Sequence, residues 1–255
     1  MHFGRAIIAQ QTAWPLDHDN VTLLYEKLYT DFIEAIDAND NGVSATAGAE
    51  KSFKDFGLSI PSIVGDMNTN RAGETLDEDS LFELASKFVG DVFVHKLHLA
   101  NSSWLPARTT VGQAYAARKE IHPSGRVIVL PQAGTPWKEH LYAYEEKEAC
   151  GKEVGVEDPS KVYYVLYPEN ATEGAKWRVQ AVSVSESSFE SRKPLPESWR
   201  GMRDEELDRI MSEEAERAGS AKIPDGAVFV HASGFIGGHK SKEGAFAMAF
   251  RALEM

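Results

Sequence analysis

Apolar residues recur every fourth position through residues 21–37 (VTLLYEKLYTDFIEAID), which puts Leu24, Leu28, Phe32 and Ile36 on one face. That period predicts an amphipathic helix, with Asn20 as its N-cap. The helical pattern returns from Leu76 to about Ser103 (LFELASKFVGDVFVHKLHL at its centre). Pro106 then admits a further helix, roughly Ala107 to Ile121. Between the first two helices, residues 41–75 are polar and rich in Gly, Ser and Thr, with Pro61 among them. This reads as a long loop, and a loop of that length in a compact domain is usually functional.

The pattern changes near residue 122, where HPSG marks a turn. Beyond it, strand-like and helix-like runs alternate. Val127–Leu130, Val162–Tyr167 and Trp177–Val184 read as strands, the last with alternation of period two. ENATEGAK reads as a hairpin-like loop. Trp137–Cys150 and the charged run over 203–218 read as helices. Ala227–Ala232 reads as a buried strand, Ser233–Gly238 as a glycine-rich turn and Glu243–Met255 as a closing helix. The predicted class is α/β: a helical region over 1–103, then a mixed-sheet domain over 104–255.

Of the 255 residues, 42% are hydrophobic and 26% charged, which excludes global disorder. No apolar run approaches the roughly 20 residues of a membrane span, so no membrane partner is expected. The opening MHFGRAIIAQ lacks the long apolar core of a secretory signal. Cys150 is the single cysteine, which excludes an intrachain disulfide and a cysteine-rich zinc site. The net charge of −12 argues against general electrostatic binding of nucleic acid. It leaves room for a local basic groove, or for carboxylates gathered around a divalent metal.

Three segments carry candidate chemistry. HASGFIGGHKSKEGAFAMA (231–249) places Gly237, Gly238, His239 and Lys240 between a strand and a helix. Such a junction is either an anion cradle or a tight turn with glycines for geometry alone. SFESRKPLPESWRGMRDEEL (188–207) clusters Arg192, Lys193, Arg200 and Arg203. These either fork phosphate oxygens, with Trp199 or Phe189 stacking a base, or pair with surface carboxylates. DANDNG (37–42) spaces Asp37 and Asp40 so that a helix end aims both the same way. They are either ligands for Mg2+ or Mn2+ or ordinary helix-stop chemistry. His95 and His98, one helical turn apart, and Asp17-His18-Asp19 in a loop are weaker candidates. Walker, nucleophile-elbow and dinucleotide motifs are absent from the sequence.

The strings DANDNGVS, SSWLPAR, IHPSGRVIVLPQ, PWKEHLY and WRVQAV occur in that order, followed by the two long segments around Arg200 and Gly238. Together they resemble the melanocyte-proliferating-gene family of exonucleases, a branch of the DHH phosphoesterase superfamily, from about Leu23 to the end. The resemblance implies a 3′–5′ exoribonuclease of nucleus and mitochondrion. An N-terminal DHH domain would hold two Mn2+ or Mg2+ ions, and a C-terminal domain would hold RNA or another phosphodiester. Residues 1–103 would then be the helical remnant of the DHH domain, and 104–255 the substrate-binding domain. The resemblance casts Gly237, Gly238 and His239 as the substrate-binding turn and Arg192 and Arg200 as phosphate contacts. It casts Asp40 as the last metal carboxylate, with Asp37 the alternative.

The family's opening His-Asn-Gly-Thr-Phe-His-x-Asp-Glu motif, its following Asp and its Asp-His-His are not found in this sequence. The chain is therefore expected to be a C-terminal portion that binds no metal and cleaves nothing by itself. The alternative is a non-catalytic module that binds nucleic acid, a nucleotide or a protein. A cytoplasmic location and a homo-oligomer stay open.

Overall fold

A computed structural model describes residues 2–41, 59–68 and 77–255. The elements fall into two compact units, Met1–Leu105 and Pro106–Met255. The class is mixed α/β, with a helical region preceding a five-stranded sheet.

The first unit holds helices α1 (His2–Thr12), α2 (Asp19–Leu28), α3 (Glu34–Asp40), α4 (Ile60–Met67) and α5 (Glu78–Leu99). Its core joins Ile8 to Val21, Leu24, Leu28 and Leu97, with Phe93 packed alongside. Leu24 and Leu28 of the four-residue period face this core and Phe32 is buried, but Ile36 is only half-buried, and a π turn over Tyr29–Ile33 interrupts the single helix expected over 21–37. The N-cap of α2 is His18 rather than Asn20: its ring stacks on Trp14, and Nδ1 accepts the Asn20 N–H at 3.1 Å. Helix α4 corrects the expectation of one unbroken loop. Ser59 caps it by accepting the Ser62 N–H, and Pro61 sits in the first turn, where its missing N–H costs nothing. The remainder of that segment, 42–58 and 69–76, lies outside the described residues.

A π turn, Ala100–Trp104, precedes Pro106. Its closing bond runs from the Leu105 N–H to the Ala100 carbonyl, and the widened turn suits a proline that would clash with a regular helix. The following helix accordingly starts at Leu105, earlier than its sequence pattern suggests.

The second unit begins with α6 (Leu105–Ala116) and α7 (Arg118–Ile121) and includes α8 (Lys138–Glu148), α9 (Asp204–Ala218) and α10 (Lys242–Glu254). Its strands are β1 (Val127–Val129), β2 (Tyr164–Pro168), β3 (Trp177–Ala181), β4 (Ala227–Val230) and β5 (Ile236–His239), in the order β1-β2-β3-β5-β4. β1 and β2 are parallel, and β3 is antiparallel to β2 and to β5. β1, β2 and β5 therefore share a direction. Alternation sends Tyr164, Leu166, Val179, Ala181 and Val230 into a cluster with Leu207, Met211, Met248 and Ala249 of α9 and α10. Ile128 and Val165, on the opposite face, pack with Val111, Tyr115 and Leu141 of α6 and α8.

Candidate functional site

The common direction of β1, β2 and β5 brings their carboxyl ends to one sheet edge, the usual place for ligands in open α/β sheets. A groove of about 440 Å3 opens there. Pro131 follows β1, Pro168 ends β2, Trp177 begins β3, and Lys240 and Lys242 follow β5. Asn170 and Thr172 of the β2–β3 loop close one side. Lys242 Nζ lies 5.5 Å from the Trp177 ring centroid, a cation–π distance. The exposed Lys240 adds a second cation. Glu243 also lines the groove, so two ammonium groups and one carboxylate face it beside the proline and indole walls, which leaves a positive excess for an anionic ligand.

His239 sets the junction beneath this groove. Its ring is buried, and Nδ1 accepts the Ser241 N–H at 2.9 Å. The proton therefore sits on Nε2, which donates to the Pro224 carbonyl at 3.0 Å. Ser241 caps α10 by accepting the Gly244 N–H at 3.1 Å. The Asp208 carboxylate accepts the N–H groups of Gly226 and Ala227 and fixes the start of β4.

Gly237 and Gly238 lie within strand β5, not in a turn. The turn is His231–Phe235, one step earlier, with Gly234 at φ 72°. Gly238 pairs with Arg178 and with Phe229, so strand neighbours, not turn geometry, require the small residue. The Arg178 guanidinium occupies the space that a Cβ at Gly238 would need.

The arginines of the 188–207 segment are dispersed. Arg192 is buried, and its two Nη atoms reach the two oxygens of buried Glu145 at 2.7 and 2.8 Å. It also donates to the Val162 carbonyl and lies over the Tyr142 ring. This pins the guanidinium inside the fold, where a phosphate has no access. Arg200 Nε donates to the Leu195 carbonyl, and the side chain packs on Gly234. Its Nη atoms make no hydrogen bond among the described residues. Trp199 is fully buried and its indole N–H donates to Glu214, so no base stacks on it. Phe189 is fully exposed.

Asp37 is exposed on α3, and the side chain of Asp40 lies outside the described residues. His95 and His98 are exposed on α5. Among the described residues, no group of three or more His, Cys, Asp or Glu side chains is placed to hold a metal. No described helix is long and apolar enough to cross a membrane.

Sequence reading missed Trp177 and Lys242 of the groove, and Arg178 and Phe229 on the sheet. The WRVQA alternation marks Trp177 and Arg178 as opposite-facing, which was the available signal.

Comparison with known proteins gives a consistent set of relatives. The MYG1 protein YER156C of Saccharomyces cerevisiae is 40% identical over 259 residues, spanning 99% of this chain and 70% of that protein. The human MYG1 exonuclease is 38% identical over 249 residues, spanning 98% of this chain and 60% of that protein. The Dictyostelium discoideum MYG1 protein is 39% identical over 256 residues. The chain thus spans about 60–70% of the length of these curated relatives. No solved structure matches it. Residues 1–253 match the MYG1 exonuclease family, described as an uncharacterised protein family (UPF0160), and the chain belongs to that family.

Proposed function

We propose that this chain supplies the substrate-holding part of a 3′–5′ exoribonuclease, with the carboxyl-edge groove receiving the phosphodiester end. The observation that carries the reading is the meeting of Trp177, Lys240 and Lys242 at the ends of three co-directed strands, in a chain of an exonuclease family. Dependence on Mn2+ or Mg2+ enters through the family resemblance alone. The chain's own contribution is to bind the anionic end, orient it and shield it with the proline and indole walls. On this reading the chain by itself binds RNA without cleaving it. The nuclear and mitochondrial location is part of the same proposal and is checked by fractionation.

Fluorescence anisotropy with a 5′-labelled oligouridine tests the groove. Changing Lys240 and Lys242 together to Ala is expected to weaken binding by about tenfold or more, as loss of charged hydrogen bonds implies. Unchanged affinity overturns the assignment. Shortening of the labelled RNA by the isolated chain, with or without Mn2+, overturns the inactive state. A second reading, a module that binds a protein or a small phosphate ligand, is favoured by the net charge of −12. Absence of oligonucleotide binding at low salt selects it.

A further inference from the structure

The geometry points to the sheet face carrying Arg178, Phe229 and Arg203 as a second contact surface for single-stranded nucleic acid, separate from the carboxyl-edge groove. It deepens the proposed role of the chain in holding a strand and rests on that reading. Strand alternation sets Arg178, Gly238 and Phe229 in one cross-strand row. Arg203 joins the end of the row through its bridge to Phe229. Gln180 and Ile236 form the adjacent row. Arg178, Gln180, Phe229 and Ile236 are half-buried, and Arg203 is exposed. None of them belongs to either apolar cluster that covers the rest of the sheet.

Both guanidinium groups address the same ring, with Cζ 5.2 Å (Arg178) and 5.8 Å (Arg203) from the Phe229 centroid. Arg178 is engaged on one side only. Its Nη2 meets Glu169 at 2.7 Å, while Nη1 is buried with no acceptor. Nη1 itself has no solvent access, so a strand meets the partly exposed remainder of Arg178 and the exposed Arg203. Arg203 makes no ion pair among the described residues, although Asp204, Glu205 and Glu206 follow it in α9. Guanidinium forks match phosphate oxygens, and their planes, like aromatic rings, stack bases. Gly238 keeps the row flat. A duplex hides its base faces, so the surface fits a single strand.

The test uses an oligouridine of about 15 nucleotides and uridine monophosphate as separate probes. Arg203→Gln and Arg178→Lys are each expected to weaken oligomer binding by about tenfold. Each is also expected to lower the salt slope by about 0.7, with monophosphate affinity unchanged. Lys240→Ala with Lys242→Ala, by contrast, weakens both probes. If Arg203→Gln binds the oligomer as wild type does, the surface is overturned while the groove reading stands. If the lysine changes have no effect but Arg203→Gln weakens binding, the groove reading falls and the surface stands. A wild-type chain that binds monophosphate but no oligomer at low salt also overturns the surface. Should Arg178→Lys lower the melting temperature, the exposed Arg203 carries the test alone.

Discussion

The imidazole of His239 fills the volume that a side chain on Gly244 would need. The same ring bonds Ser241 and Pro224, so one residue packs the first turn of α10 and ties it to the start of β4. Gly244→Ala is therefore expected to destabilise the chain by about 1–3 kcal/mol, the usual range for overpacking. His239→Ala leaves the Ser241 N–H and Pro224 carbonyl unpaired and opens a cavity, at about 2–4 kcal/mol. In the double variant the clash is gone, so the two costs are not additive. Urea midpoints of the three variants check this, and simple additivity would refute the coupling.

Glu145 and Arg192 form a fully buried pair that joins α8 to the strand region. Glu145 Oε1 also accepts the Val162 N–H at 2.8 Å. Arg192→Ala leaves the buried carboxylate with only Lys161 Nζ at 3.5 Å and the Val162 N–H, and is expected to cost about 3 kcal/mol. Changing both residues to Met should recover part of that loss. Thermal melts of the single and double variants decide the matter. An Arg192→Ala protein with wild-type stability and weaker RNA binding would restore Arg192 as a phosphate contact.

Burial pushes the hydroxyls of Tyr142, Tyr163, Tyr164 and Tyr167 upward from the ordinary tyrosine value. The unfolded chain then ionises first, near pH ~10. Above that pH the folded state holds more protons than the unfolded state, so stability falls as pH rises. Below it the contribution is intact. The Tyr164 hydroxyl is buried without a hydrogen-bond partner. Tyr164→Phe is expected to raise stability at neutral pH by about 1 kcal/mol and to flatten the alkaline decline. Urea midpoints from about pH 8 to about pH 11 measure both effects.

Arg200 Nε donates to the Leu195 carbonyl, Leu195 in turn donates its N–H to the Gly234 carbonyl, and the Nη atoms of Arg200 make no hydrogen bond among the described residues. Arg200→Ala is expected to weaken oligouridine binding by about 1–3 kcal/mol, the worth of a charged hydrogen bond. Arg200→Lys should keep part of the charge but lose the bond to Leu195. If both variants bind RNA normally and only lose stability, Arg200 serves the turn alone.

The sequence determined what depends on near neighbours. Leu24, Leu28 and Phe32 specify their helical face because residues four apart meet on a helix. The strands around Val165 and Val179 follow from local alternation, and the family follows from long ordered motifs. The order β1-β2-β3-β5-β4 was not legible, because sheet neighbours come from distant segments. That order alone gathers Pro131, Trp177 and Lys240 around one groove. It also placed Gly237 and Gly238 in a strand rather than a turn, where the small size of Gly238 makes room for Arg178 and Phe229 across the sheet and that of Gly237 for Leu195 and Val230. Arg192 and Arg200 look alike in a basic segment. Tertiary packing separated them by burying a carboxylate 47 residues away against only one. A charge in sequence carries no record of its partner, and burial decides whether it is spent inside the fold or left for a ligand.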